Sequence, residues 1–209
     1  MRKLLLIISV LAFSSLAYGG AYDDILAAAN DSDTPTVVDL LKRGMDVNTA
    51  DPAGSTLLMI AARTGNQELL QTLLINRANV NRRNQYGDSA LMVAALSGKR
   101  AAVRLLLEHG AEVNPAGWTP LHYAAFGDDS RIITLLIAQG AKLDAPAPNG
   151  QTALMLAVKN GKLEVVRQLV GAGANIDVQD HEGLTARQLA RKLGHTEIAE
   201  YLRKRGAAE

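Results

Sequence analysis

An all-α solenoid of stacked helix–turn–helix units, about six of them with two serving as caps, is the fold class this sequence predicts. Three observations carry the prediction. Glycines before each helix start fall at Gly54, Gly87, Gly117, Gly150 and Gly183, with spacings of 33, 30, 33 and 33. Residues closing each unit fall at Gly44, Arg77, Gly110, Gly140, Gly173 and Gly206, with spacings of 33, 33, 30, 33 and 33. Two independent markers thus share one period and one three-residue deletion, which is the signature of a repeat architecture. The third observation is compositional: alanine and leucine are abundant and aromatics make up only 4% of the 209 residues, as suits helices packed closely through small side chains.

In chain order, residues 1–19 come first and stand apart. Met1-Arg2-Lys3 is a basic start, Leu4 to Leu16 is apolar with only serine as polar content, and small residues follow at Ser15, Ala17 and Gly19. This is the pattern of a bacterial secretory signal peptide, with cleavage expected after Ala17 or Gly19. The apolar run is short of the roughly 20 residues a membrane span needs. No membrane association is therefore expected after cleavage, and the mature chain is expected in the periplasm or outside the cell. Cysteine is absent, so neither a lipid anchor on cysteine nor a disulfide is available.

The repeat region is expected over residues 22–207, in units of about 22–50, 51–83, 84–114, 115–146, 147–179 and 180–207. Each internal unit has the same parts. Thr56, Ser89, Thr119, Thr152 and Thr185 sit two residues after the glycine, each able to cap a helix with its hydroxyl. A short helix carries a small pair in register, such as Ala61-Ala62, Ala94-Ala95 and Ala124-Ala125. A second helix carries apolar pairs one turn apart, such as Leu69-Leu70 with Leu73-Leu74, giving one apolar stripe. The closing residue then stops the helix where a left-handed conformation is needed. A lone helix pair cannot bury its stripe, so the copies must stack. The first unit lacks the full helix-start segment, and the last places Arg187 in a leucine slot. Atypical ends suit units that face water on one side.

The fourth unit is the most explicit: Thr119-Pro120-Leu121-His122-Tyr123-Ala124. Pro120 suits a first helical position, where no backbone N–H is required. This hexapeptide, with the period, resembles the signature of ankyrin repeats, and the resemblance covers nearly all of the chain after residue 21. It implies a solenoid with β-hairpin-like loop fingers. It also implies a structural hydrogen-bonding role for His122 between units and binding of another protein through the loop tips and the exposed face of the first helices.

Catalysis finds little support. No His-Glu-x-x-His, Gly-x-Ser-x-Gly or phosphate-binding loop is present. Asp180-His181-Glu182 resembles a metal or acid–base cluster but has no second histidine near it in sequence. No catalytic residue, metal site or cofactor is expected. Formal net charge is only +1, and Arg2 and Lys3 alone exceed it, so nucleic acid is not an expected partner. The expected function is that of a non-catalytic, monomeric scaffold gripping an envelope enzyme or a toxin. The alternative is an accessory or weakly catalytic enzyme using loop-tip residues. By register, the candidate partner-binding residues are Arg63, Tyr86, Asp88, Leu96, Trp118, Phe126 and Lys159. Trp118 and Phe126 stand out as the one Trp and the one Phe after the leader, both in the unit with the shortened finger. A shortened finger should leave a notch beside Trp118, which acts either as a binding hot spot or as local packing over the short loop.

Overall fold

A computed structural model describes residues 20–127 and 129–207. The signal peptide expected at 1–19 lies outside them. Among the described residues twelve helices follow as six consecutive pairs. These are α1 (residues 20–30) and α2 (Thr34–Lys42), α3 (Leu57–Thr64) and α4 (Gln67–Ile75), and α5 (Ala90–Leu96) and α6 (Arg100–Glu108). Then come α7 (Pro120–Phe126) and α8 (Arg131–Ala138), α9 (Ala153–Lys159) and α10 (Leu163–Gly171), and α11 (Ala186–Lys192) and α12 (Thr196–Lys204). None is long and apolar enough to cross a membrane.

The first helices pack on one another from α3 through α11, and the second helices do the same from α2 through α12. This gives two helical layers with one continuous apolar core between them. The small pairs explain the close approach of the first layer: Ala61, Ala62, Ala94, Ala95, Ala124 and Ala125 are all buried. The second layer contributes Leu69, Leu70, Leu73, Val103, Leu106, Ile132, Ile133 and Leu136.

Helix starts follow the expected chemistry. The hydroxyls of Thr56, Ser89, Thr119, Thr152 and Thr185 each accept a hydrogen bond from the backbone N–H three residues on. Helix ends are equally regular. The residue after each closing position, Met45 in the first unit and alanine in the others, donates its N–H five residues back, as in Ala78 to the Leu73 carbonyl at 2.9 Å and Ala111 to the Leu106 carbonyl at 3.0 Å. This is the Schellman closure, which places the closing residue in the left-handed region.

Arg77 obeys the same rule without being glycine. Its φ is 64°, and its N–H reaches the Leu74 carbonyl at 3.0 Å. A left-handed residue with a side chain is strained by about 1–2 kcal/mol, and glycine gives back part of the relief as backbone entropy. Arg77→Gly should therefore raise the unfolding free energy by roughly 0.5–1 kcal/mol. Urea melts of the two proteins check this, and a lower midpoint for the glycine variant would show that the arginine side chain compensates the strain.

The fingers between units are hairpin-like only in outline. Among the described residues no strand forms, and one isolated antiparallel bridge joins Ala50 and Thr56. Their register is held by side chains. Asn48, Asn81, Asn114 and Asp144 each accept, at 2.8 Å, the N–H of Asn79, Glu112, Lys142 and Asn175 in the next unit. One polar side chain per step thus ties together the first five units. In the last unit, buried Arg187 donates to the Ala207 carbonyl at 3.3 Å, so the arginine in a leucine slot holds the turn that follows α12.

Candidate functional site at the fourth unit

In four units a main-chain hydrogen bond closes the finger just before the helix cap. Asp51 N–H meets the Ser55 carbonyl, Asn84 the Asp88 carbonyl, Ala147 the Gln151 carbonyl and Asp180 the Leu184 carbonyl, at 2.9–3.1 Å. Trp118 occupies the matching position in the fourth unit. Three residues are missing there, and among the described residues no such bond forms. Neighbouring finger tips also bond to each other on either side: Gln85 N–H to the Ala53 carbonyl, and His181 N–H to the Asn149 carbonyl. The short fourth finger separates these two paired sets.

Trp118 is half-buried and packs against the core. Its ring meets His122 at 5.5 Å and Tyr123 at 6.2 Å between centroids, both edge-on. Edge-to-face geometry places the positive rim of one ring on the negative face of the other, about 0.5–1.5 kcal/mol per pair beyond area burial. The remaining surface of Trp118 forms, with Leu96, Tyr123 and Phe126, an open apolar cleft of about 280 Å³. Leu96 and Phe126 are 47% and 42% exposed at the ends of α5 and α7, so large apolar surface is left facing water. The structure therefore brings together three of the expected residues, Leu96, Trp118 and Phe126.

The other candidates are placed differently. Tyr86 is 75% exposed on a finger tip and lies outside the cleft lining. Asp88 is half-buried and accepts the hydrogen bond of the Tyr123 phenol and one from Asn84 Nδ2 at 3.2 Å. It ties the third finger to α7. Arg63 is exposed and donates to Asn30 Oδ1 in the first unit at 2.6 Å. Lys159 is exposed and reaches Gln151 Oε1 at 3.4 Å. Tyr123 itself escaped the sequence reading. It is half-buried, packs against the core and meets the Trp118 ring. Burial first, then the neighbouring Asp88 carboxylate, push the Tyr123 phenol well above the ordinary range, so it stays a neutral donor.

His122 is 1% exposed. Its Nδ1 accepts the Thr119 N–H at 3.0 Å, while Nε2 lies 3.2 Å from the Gln151 carbonyl in the next unit. That pattern assigns the proton to Nε2 of a neutral ring, which makes His122 a rivet between units. Burial pushes the His122 imidazole below its ordinary value against the pull of the carbonyls it faces. A histidine with a lowered native value contributes its full stability above the unfolded value near 6.5, and loses it as pH falls below that. The wild-type stability should fall from pH 6.5 downward by up to about 1.4 kcal/mol per pH unit from this group alone. His122→Gln should be less stable at pH 7.5 but lack that slope. Melts at pH 7.5, 6.5 and 5.5 check it, and identical slopes would assign the titration elsewhere.

The loop-tip cluster at Asp180-His181-Glu182 proves to be a turn. Asp180 is buried, and its Oδ1 accepts the N–H groups of Glu182 at 2.9 Å and Leu184 at 3.1 Å. Among the described residues no group of three His, Cys, Asp or Glu side chains is placed to hold a metal ion.

The family model for ankyrin repeats (three copies) matches residues 25–116, 58–147 and 121–209. The chain is an ankyrin-repeat protein. A search among curated proteins gives no match. Ankyrin repeats are in general protein–protein interaction modules, and the family is generally non-catalytic. In this ankyrin array the departure from the regular unit and an exposed apolar cleft coincide where the third and fourth repeats meet.

Proposed function

We propose that this ankyrin-repeat protein is a non-catalytic scaffold that binds another protein through the cleft of Leu96, Trp118, Tyr123 and Phe126. The observation that supports the reading most is that cleft: exposed apolar surface at the one finger that is shortened. Trp and Tyr dominate binding hot spots because they bury large area at small entropic cost. Tyr86, Arg63 and Lys159 form the more distant rim of the same face by register. Export is part of the proposal and rests on the pattern of residues 1–19, with a monomer bound to an envelope enzyme or toxin as the working species.

Capture from envelope extract tests it. Wild type should retain a partner that the Leu96→Ser/Phe126→Ser variant loses, with both proteins melting within a few degrees of each other. Equal retention by the two would move the binding surface elsewhere. The intact mass of the envelope form should lack residues 1 to about 19, and a mass retaining Met1 would remove the export part.

A further inference from the structure

A second groove lies beside the cleft, along the starts of α4, α6 and α8. It is about 430 Å³ and is lined by Gly65, Gln67, Lys99, Arg100, Arg104, Asp129 and Arg131 among others. Among the described residues of the lining, four cations accompany one carboxylate. The carboxylate is already occupied: Arg131 Nε and Nη2 donate to the two oxygens of Asp129 at 2.7 and 2.9 Å. That pairing, opposed by slight burial, holds Asp129 below the usual carboxylate range, with Arg100 adding to it. Lys99, Arg100 and Arg104 make no hydrogen bond or ion pair with their side chains among the described residues.

Two of the four cations, Lys99 and Arg131, are also positioned. A Cβ on Gly65 would fall 2.9 Å from Lys99 Cδ, so the lysine stem lies directly on the Gly65 backbone, and Gly65 has a φ of 79°. Arg131 is held by its two-point pairing. Fixing cations before binding lowers the entropy lost on capture. In a chain whose formal charge is only +1, this concentration is local and not a property of the whole surface.

The groove and the cleft are continuous in the chain. Leu96 lies two residues before Gly98, which lines the groove, and Phe126 three before Asp129. Two or three residues span at most about 7–11 Å. One extended partner segment can therefore touch both. Arg131 is occupied on its fork, so the remaining charge is spread over Lys99, Arg100 and Arg104. That suits several carboxylates along an extended strand better than one compact phosphate.

We propose that the groove recognises an acidic segment of the partner protein, next to the bulky apolar residue that enters the cleft. This rests on the cleft being the docking site. The probe is a labelled peptide of four glutamates, a glycine and a phenylalanine, against the same peptide with four glutamines. At 50 mM salt the glutamate peptide should bind at least 10-fold more tightly, and the advantage should shrink at 500 mM as charges are screened. Arg100→Glu/Arg104→Glu should abolish the advantage, while Lys42→Glu/Lys204→Glu, an equal charge change at the two ends of the array, should keep it. Phe126→Ser should weaken both peptides alike.

Failure of the two ideas separates cleanly. Equal binding of the two peptides by wild type, with Phe126→Ser still weakening them, overturns the groove and leaves the cleft. Persistent preference for glutamate with Phe126→Ser silent overturns the cleft as the shared dock, and with it a joint site. Displacement of the peptide by micromolar pyrophosphate, with no glutamate advantage, would make the groove a small-anion site and overturn the proposal.

Discussion

Replacing Leu106 by alanine is expected to lower the unfolding free energy by about 3 kcal/mol. Leu106 is fully buried in α6, between the second helices on either side. Its carbonyl also accepts the Ala111 N–H that closes the helix, so the surrounding backbone is pinned and cannot collapse into the space. A cavity that cannot collapse carries the lost transfer energy and the lost contacts together. The position matters as well. In a one-dimensional array each unit is stabilised only by its neighbours, so a defect in the third unit weakens the interfaces on both sides. Urea melts followed by far-UV circular dichroism measure the loss. A fall under about 1 kcal/mol would mean that α6 repacks, contrary to its pinned ends.

Trp118→Ala should produce two losses of different origin. Half of the ring is packed on the core and edge-on to His122 and Tyr123, so stability should fall by roughly 1–2 kcal/mol. The other half lines the cleft, so affinity for the captured partner should fall by about 2 kcal/mol or more. Phe126→Ala supplies the contrast. Phe126 is exposed and outside the core, so it should cost affinity with little change in the melt. Binding titrations and melts on both variants decide the matter. A Trp118→Ala protein that melts far lower yet binds normally would make the tryptophan packing alone, and the cleft a by-product of the short finger.

Much of the architecture was legible in residue order because repetition multiplies weak signals. One threonine before an apolar run says little, but five hydroxyls at the same phase of a common period specify five helix starts, and all five cap as expected. The closing position shows the same strength. Arg77 was recognisable as a left-handed residue only because glycines hold that phase elsewhere, and its φ of 64° follows from the local closure. Export was read from residues 1–19, and no described residue bears on it.

What periodicity could not supply was the pairing of residues from different units. Register put Asp88 on the candidate surface, but the phenol that engages its carboxylate comes from Tyr123, 35 residues away. The short fourth finger followed from a three-residue deletion, whereas the cleft beside it required the actual placement of Leu96, Tyr123 and Phe126 around Trp118. The basic groove was invisible for the same reason. Lys99, Arg100, Arg104 and Arg131 are unremarkable surface charges in order, and they become one feature only when α6 and α8 stack. Local propensities and period determined the helices, caps and stacking order, because those depend on residues a few positions apart. The side chains that share a surface were decided by the tertiary structure, because stacking brings into contact residues about one repeat apart that no short-range rule connects.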